Sequence, residues 1–270
     1  MTTRLVDYHI HTSRCGHATG TMEQYVEQAL AAGLAEMGFS DHLYLYFLPP
    51  DRRDPNLAMP EDELPRYVES VLRLRDRYPQ IPIRLGIEAD YYPGHEEALQ
   101  RILEPYPWDY VYGSIHFIGD WGFDDPKYVD RYAHWDIDEL YGRYFDLVKE
   151  AAATGLFDVM GHLDVIKKFG HRPKEEPRLL YCEVAAALHD AGVAIEVSTA
   201  GLRKPVGEIY PGPSLLGDCC RLGVPATLGS DSHQPSEVGI HFDRALEALR
   251  AAGYREIVRF QQRRRIPVPL

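Results

Sequence analysis

Two histidines one residue apart, His9 and His11, end the short apolar run Leu5-Val6-Asp7-Tyr8, and Asp231 and His233 end another run near the opposite end of the chain. Side chains at i and i+2 of an extended chain project to the same side, so each pair can reach a shared cation. Imidazole nitrogens and carboxylate oxygens are ligands for divalent transition metals. A metal site is therefore the chemistry to expect, and it requires the two ends of the chain to meet.

The elements that must bring them together are apolar runs of strand length, each followed by an amphipathic stretch of helical length. Strands are expected over Leu5–His9, Ala35–Ser40, Ile83–Ala89, Tyr110–Ile115, Phe157–Gly161, Ala194–Ser198 and Ala226–Ser230. Helices are expected over Met22–Ala32, Glu61–Tyr78, His95–Leu103, Ile137–Ala153, Pro177–Ala191, Pro213–Leu222 and Arg244–Ala252, several stopped by a glycine such as Gly33, Gly155, Gly192 or Gly253. This alternation is the pattern of a parallel sheet with crossover helices. The carboxyl ends of the strands carry, in order, His9 and His11, Asp41 and His42, Glu88, His116, His162, Glu196, and Asp231 and His233. Barrels of parallel strands gather their chemistry at that end. A seven- or eight-stranded barrel follows, with an open doubly wound sheet as the alternative.

Composition narrows the function classes. The 270 residues carry a formal charge of −12, which disfavours non-specific nucleic-acid binding. With 45% hydrophobic residues and no linker-like stretch, one domain over residues 1–270 is expected. The amino-terminal region places Asp7 and His9 where a signal peptide needs an apolar run, and no segment has the length of a membrane span, so a soluble cytoplasmic protein is expected. Cys15, Cys182, Cys219 and Cys220 lack the spacing of a zinc ribbon or the density of a disulfide scaffold, and read as reduced thiols.

Taken together these residues resemble the polymerase and histidinol phosphatase (PHP) superfamily of metal-dependent phosphoesterases. The resemblance rests on His9-Ile10-His11 with His17 after it, Gly38-Phe39-Ser40-Asp41-His42, Glu88, His116, Gly161-His162-Leu163-Asp164, and Gly229-Ser230-Asp231-Ser232-His233. The run Glu196-Val197-Ser198-Thr199-Ala200-Gly201-Leu202-Arg203-Lys204-Pro205 is similar to the stand-alone histidinol-phosphatase branch. The amidohydrolase superfamily also opens on paired histidines, but the order Asp41-His42, a single Glu88 and a terminal Asp-Ser-His fits PHP better.

The resemblance implies a distorted (β/α)7 barrel holding three divalent ions. The first would lie among His9, His11, Glu88 and Asp231; the second among Glu88, His116 and His162; the third among His17, His42 and His233. Glu88 and Asp231 would thus serve catalysis through the ions, and Asp41 would support it by orienting an imidazole, or else would cap its own loop. Asp164 carries the same pair of readings beside His162. These ligand types leave zinc, iron and manganese open. The implied reaction is hydrolysis of L-histidinol phosphate to L-histidinol and phosphate by a metal-activated water, with another metabolite or a nucleic acid as the alternative substrate. A non-catalytic, metal-stabilised scaffold is the remaining reading. A guanidinium is suited to phosphate oxygens, so Arg203 is expected to bind phosphate, with Lys167 and then Lys168 and Lys204 as weaker candidates. Tyr44, Tyr46 and Phe47 either wall the pocket or pack on the barrel. A homo-oligomer is left open. His95, His134, His171, His189 and His241 match no ligand motif and are expected to be structural or exposed.

Overall fold

The computed structural model describes residues 5–270. In chain order its strands are β1 Val6–Asp7, β2 Glu36–Phe39, β3 Ile83–Asp90, β4 Tyr110–Ser114, β5 Phe117–Ile118, β6 Trp121–Gly122, β7 Val159–Met160, β8 Ala194–Ser198, β9 Ala226–Gly229, β10 Glu256–Gln261 and β11 Arg264–Pro269. Seven of them form one sheet in the order β1-β2-β3-β4-β7-β8-β9. All six ladders are parallel, with registers such as Phe39 opposite Leu85 and Glu88 opposite Tyr112.

The sheet curls until its edges touch. Tyr8 N–H donates to Leu228 O (3.2 Å), His11 N–H to Ser232 O (3.0 Å) and Ser232 N–H to His9 O (3.1 Å). Ile10 and Ser232 make an isolated parallel bridge. The barrel is thus closed by the same segments that carry His9, His11 and Asp231, and the two ends of the sequence meet as the spacing requires.

Helices α1 Met22–Ala31, α2 Leu64–Arg77, α3 Glu96–Leu103, α4 Ile137–Ala153, α5 Arg178–Ala191, α6 Pro213–Arg221 and α7 Phe242–Ala252 connect the strands. Their ends follow local chemistry. Thr21 and Gln24 form a capping box at α1, Asp136 accepts from the first backbone donors of α4, and Gly192 and Gly253 close α5 and α7 with positive φ. α4 buries Leu140, Tyr144, Phe145, Leu147, Val148 and Ala151, a stripe at helical spacing.

Tyrosines fill the barrel interior. Tyr8, Tyr110 and Tyr112 are fully buried, and Tyr110 O–H donates to Tyr8 O at 2.7 Å. The space for the Tyr110 ring comes from Gly38 and Gly86, where any Cβ would overlap it.

The sequence reading assigned nothing beyond Ala252, yet β10 and β11 pair in an antiparallel hairpin under the amino-terminal end of the barrel. Phe260 is fully buried, with its ring 5.9 Å from Tyr8 and its N–H donating to the Tyr8 hydroxyl (3.3 Å). Arg259 pairs with buried Glu36 (3.4 Å), which also takes both arms of Arg84 (2.8 and 3.0 Å). The hairpin was missed because Gln262 and Arg263 make its turn, both at positive φ, where Asn-Gly or Asp-Gly is the usual signal.

Candidate metal centre

Every strand of the barrel except β8 delivers a nitrogen or carboxylate oxygen to one point at the carboxyl-terminal mouth, and Glu88 stands in the middle of them. From β3 its Oε2 lies 3.3 Å from His9 Nε2, 3.7 Å from His11 Nε2 and 2.8 Å from His42 Nδ1. Its Oε1 lies 3.0 Å from His162 Nε2 and 3.8 Å from His116 Nε2, and accepts from Ser114 O–H (2.6 Å). His11 Nε2 is 3.1 Å from Asp231 Oδ1. Groups with ligand atoms mutually within 4.8 Å include His9, His11 and Asp231; His9, Glu88 and His162; and His17, His42 and His233. His116 joins the second of these through its Nε2, 3.2 Å from His162 Nε2.

Several of these atoms have no hydrogen-bond partner although they are buried: His9 Nε2, both nitrogens of His11, Glu88 Oε2 and His233 Nε2. Buried polar groups are normally satisfied, and four of these five orphans, all but His11 Nδ1, which faces Asp41, sit among the clustered ligand atoms as a donor set suited to cations. Nitrogen and oxygen ligands without thiolate suit divalent transition metals, so the residues present fit such ions.

A layer of carboxylates holds the imidazoles in place. Glu196, on β8, fixes His9 through Nδ1 at 2.7 Å and accepts from the His162 N–H at 2.7 Å. Asp90 holds His116 Nδ1 at 2.9 Å, and the Cys15 carbonyl accepts from His17 Nδ1 at 3.0 Å. Each partner leaves Nε2 as the free ligand atom. Gly229 makes room for Glu196, since a Cβ there would collide with the carboxylate. His162 and Asp231 both adopt positive φ, a backbone conformation that bulky L residues resist and that marks functional loops.

The electrostatics split the cluster in two. Burial opposes charge on His11, but Asp231 and Asp41 outweigh it and raise its pKa to about 9; burial likewise opposes charge on His116, but Asp90 and Asp124 raise it to about 10. Burial, together with the neighbouring imidazoles His42 and His11, lowers His17 to about 4, and burial with His11 lowers His233 well below its usual value. Glu88 and Asp231 resist the upward pull of burial because His42 and His9, and His9 and His11, hold their carboxyls far down.

Above the cluster opens a cavity of about 320 Å³. Arg203 lines it, donating through Nη2 to Ser230 O (2.8 Å) and Asp231 O (3.0 Å) and approaching Glu237 through Nε (3.3 Å), while Nη1 has no partner. Lys168, Lys204, Tyr210 and Asp124 line the same space. Burial works to raise the Asp124 carboxyl, yet Lys168 and His116 hold it at about 2, so it accepts hydrogen bonds and donates no proton near neutrality.

Other expected site residues lie elsewhere. Lys167 does not reach the cavity: its buried amine sits 2.7 Å from Asp164 Oδ2 and 2.8 Å from Glu208 Oε2 and donates to Ile209 O (3.0 Å), so its charge is consumed inside the fold. Asp164 accordingly pairs with Lys167 and accepts from Gly212 N–H (2.8 Å) rather than orienting His162. Asp41 is fully buried behind His11, 3.5 Å from its Nδ1, and accepts from the His42 N–H (2.9 Å) and the Thr12 hydroxyl. It lies behind an imidazole and is not among the residues lining the cavity. Phe47 stacks on Tyr92 (4.4 Å) and Tyr46 O–H donates to Asp90 O (2.7 Å), so this aromatic loop packs on the barrel.

Three contributors escaped the sequence reading. Asp90 closes β3 two residues after Glu88, a spacing that carries the same i, i+2 signal as His9 and His11. Glu196 was noticed at a strand end without a role. Asp124 sits on a hairpin whose strands are two residues long, too short for periodicity to register.

Comparison with known proteins adds the family. The chain is 42% identical to a probable histidinol-phosphatase of Deinococcus radiodurans over 98% of this chain and 100% of that protein. It is 29% identical to a histidinol-phosphatase of Bacillus subtilis over 89% of this chain and 98% of that one. The fold is similar to the crystal structure of a histidinol phosphate phosphatase from Lactococcus lactis complexed with zinc, L-histidinol and phosphate, with TM-score 0.84 at 24% identity, covering 98% of this chain and 100% of that chain. The PHP domain model matches residues 7–200, and by that match and its full-length relative the chain belongs to the PHP domain family.

Proposed function

We propose that this chain is a metal-dependent phosphomonoesterase that hydrolyses L-histidinol phosphate to L-histidinol and inorganic phosphate. The observation that carries the reading is Glu88, buried within 4 Å of five imidazoles, below a cavity lined by Arg203. The names of the Deinococcus and Bacillus relatives, and the ligands of the Lactococcus structure, support the substrate.

Three divalent ions fit the donor groups: His9, His11, Glu88 and Asp231 for one, Glu88, His116 and His162 for the next, and His17, His42 and His233 for the third. Zinc, iron and manganese all suit these ligands. When bound, such ions supply positive charge that acidifies water and polarises a phosphoryl group. The chain's own residues do the rest. The Arg203 guanidinium takes a phosphoryl oxygen, and the Ser230 and Asp231 carbonyls fix its plane. Glu196, Asp41 and Asp90 keep His9, His11 and His116 in the rotamers and tautomers that turn nitrogen lone pairs inward. The enclosed floor of the cavity limits bulk water around the charge that develops on transfer. The barrel and its C-terminal hairpin form one domain.

The test is elemental analysis combined with phosphate release by metal-loaded protein across a panel of phosphorylated metabolites. A clear preference for L-histidinol phosphate is expected. A higher rate on nucleotides or single-stranded DNA would replace the substrate assignment, and no release from any ester would replace the enzyme by a scaffold.

A further inference from the structure

The strand that carries His116 does not stop at the metal centre. β5 and β6 continue it as a tight hairpin, and Phe123 N–H donates back to His116 O at 3.1 Å. Trp121 and Phe123 are fully buried and pin the returning arm. The next residue, Asp124, is thereby brought back to the mouth and lines the cavity that His116 and His162 also line. Its Oδ2 faces Lys168 Nζ at 3.2 Å, and the same amine donates to the Asp124 carbonyl at 2.6 Å. Oδ1 has no hydrogen-bond partner among the described residues.

The cavity's other acidic group outside the proposed ligands is Glu237, which accepts from His233 N–H (2.9 Å) and Gln234 Nε2 (3.1 Å) and pairs with Arg203 Nε (3.3 Å). Glu237 is therefore occupied on both oxygens, whereas Asp124 keeps one free. Arg203, Lys168 and Lys204 would accept any phosphomonoester; a free carboxylate oxygen beside them singles out an ester that also carries a positive charge. We propose that Asp124 is the specificity-determining residue that receives the ammonium group of an amino-alcohol phosphate, with Lys168 holding the carboxylate in place and Arg203 taking the phosphoryl end. This rests on the phosphatase reading above and names the group that selects among its substrates.

The experiment compares wild type and Asp124→Asn, both metal-loaded, on three esters: L-histidinol phosphate, O-phosphoethanolamine and phenyl phosphate, which has no ammonium. The readout is the selectivity ratio, kcat/KM on an ammonium-bearing ester divided by kcat/KM on phenyl phosphate, alongside metal content. A charge-assisted hydrogen bond to an ammonium is worth roughly a ten- to hundred-fold fall in that ratio, carried mainly by KM. An unchanged ratio, whether activity falls on all esters alike or on none, overturns the inference and leaves Asp124 as a support for Lys168. If Asp124→Asn fails to hold metal, Asp124→Glu displaces the charged group by one methylene and is read by the same ratio, with the same two outcomes. A wild type that prefers O-phosphoethanolamine to L-histidinol phosphate would sink the substrate assignment while the ratio still decides the role of Asp124.

Discussion

Glu196 Oε1 stands 2.7 Å from His9 Nδ1, and the other oxygen of the same carboxylate accepts the His162 N–H at 2.7 Å. One side chain, fully buried, therefore sets an imidazole of the first proposed ion site and the backbone of a residue in the second. Replacing it should disturb both sites without removing a ligand. Glu196→Gln retains shape and loses charge, and outer carboxylates of this kind change metal affinity by roughly 10–100-fold. The expected result is weaker metal retention in chelator competition, with the chain still folded by circular dichroism. Unaltered retention would show that His9 needs no such partner.

Glu88 lies between the same two sites and has no substitute in the cluster. Glu88→Ala is expected to lose metal and phosphatase activity together, since it removes the one carboxylate within 4 Å of five imidazoles. Full metal content in the purified variant would refute the bridging role.

What the sequence made legible was the placement of ligand types at strand ends, because period-two alternation and the strand-then-helix rhythm are encoded locally. His9, His11, His42, His116, His162, Asp231 and His233 could be read that way, and Glu88 with them. The partners that aim them could not: whether Glu196 faces His9 depends on β8 pairing with β9 and on Gly229 leaving space, which are tertiary facts. Lys167 shows the converse error. Lys167 and Lys168 are adjacent, so nothing local tells which one turns inward to Asp164 and Glu208 and which reaches the cavity. The β10–β11 hairpin was hidden by its unusual Gln-Arg turn.

Proton release should accompany metal uptake. In the metal-free fold His11 has a pKa of about 9 and His116 of about 10, both above the usual histidine value, so both carry protons at pH 7. Raised values mean that protonation of these rings stabilises the metal-free protein fully below about pH 6.5 and that this contribution is lost as pH rises through about 9 to 10. Metal binding runs the other way, because cations need neutral imidazoles. Affinity is expected to climb with pH across that window. Titrating metal into weakly buffered protein at pH 7 should acidify the solution, and a proton count of zero would contradict the assignment of His11 and His116 as ligands.

Arg203 separates phosphate binding from metal binding. Its Nη2 braces the Ser230 and Asp231 carbonyls, Nη1 has no partner, and the side chain lines the cavity. Arg203→Lys keeps one positive charge but loses the fork, so it cannot serve both tasks. The expected outcome is unchanged metal content and a rise in the inhibition constant for inorganic phosphate of roughly ten-fold or more. Loss of metal would instead assign Arg203 to holding the Asp231 loop.

Phe260 tests whether the C-terminal hairpin is a stabilising plug remote from the chemistry. Its ring is fully buried against Tyr8 and Tyr110 at the end of the barrel opposite the metal centre. Truncating a core phenylalanine costs about 3–5 kcal/mol through lost burial and the cavity left behind. Phe260→Ala should therefore lower the denaturation midpoint strongly, while the fraction that remains folded keeps its metal stoichiometry and its kcat. Tyr8 is the shortest route by which the damage could spread, because it touches Phe260, its carbonyl holds Tyr110 and it immediately precedes His9. A selective loss of the ion proposed for His9 and His11, at a temperature where the variant is still folded, would show that the plug supports the first site through the tyrosines beneath it.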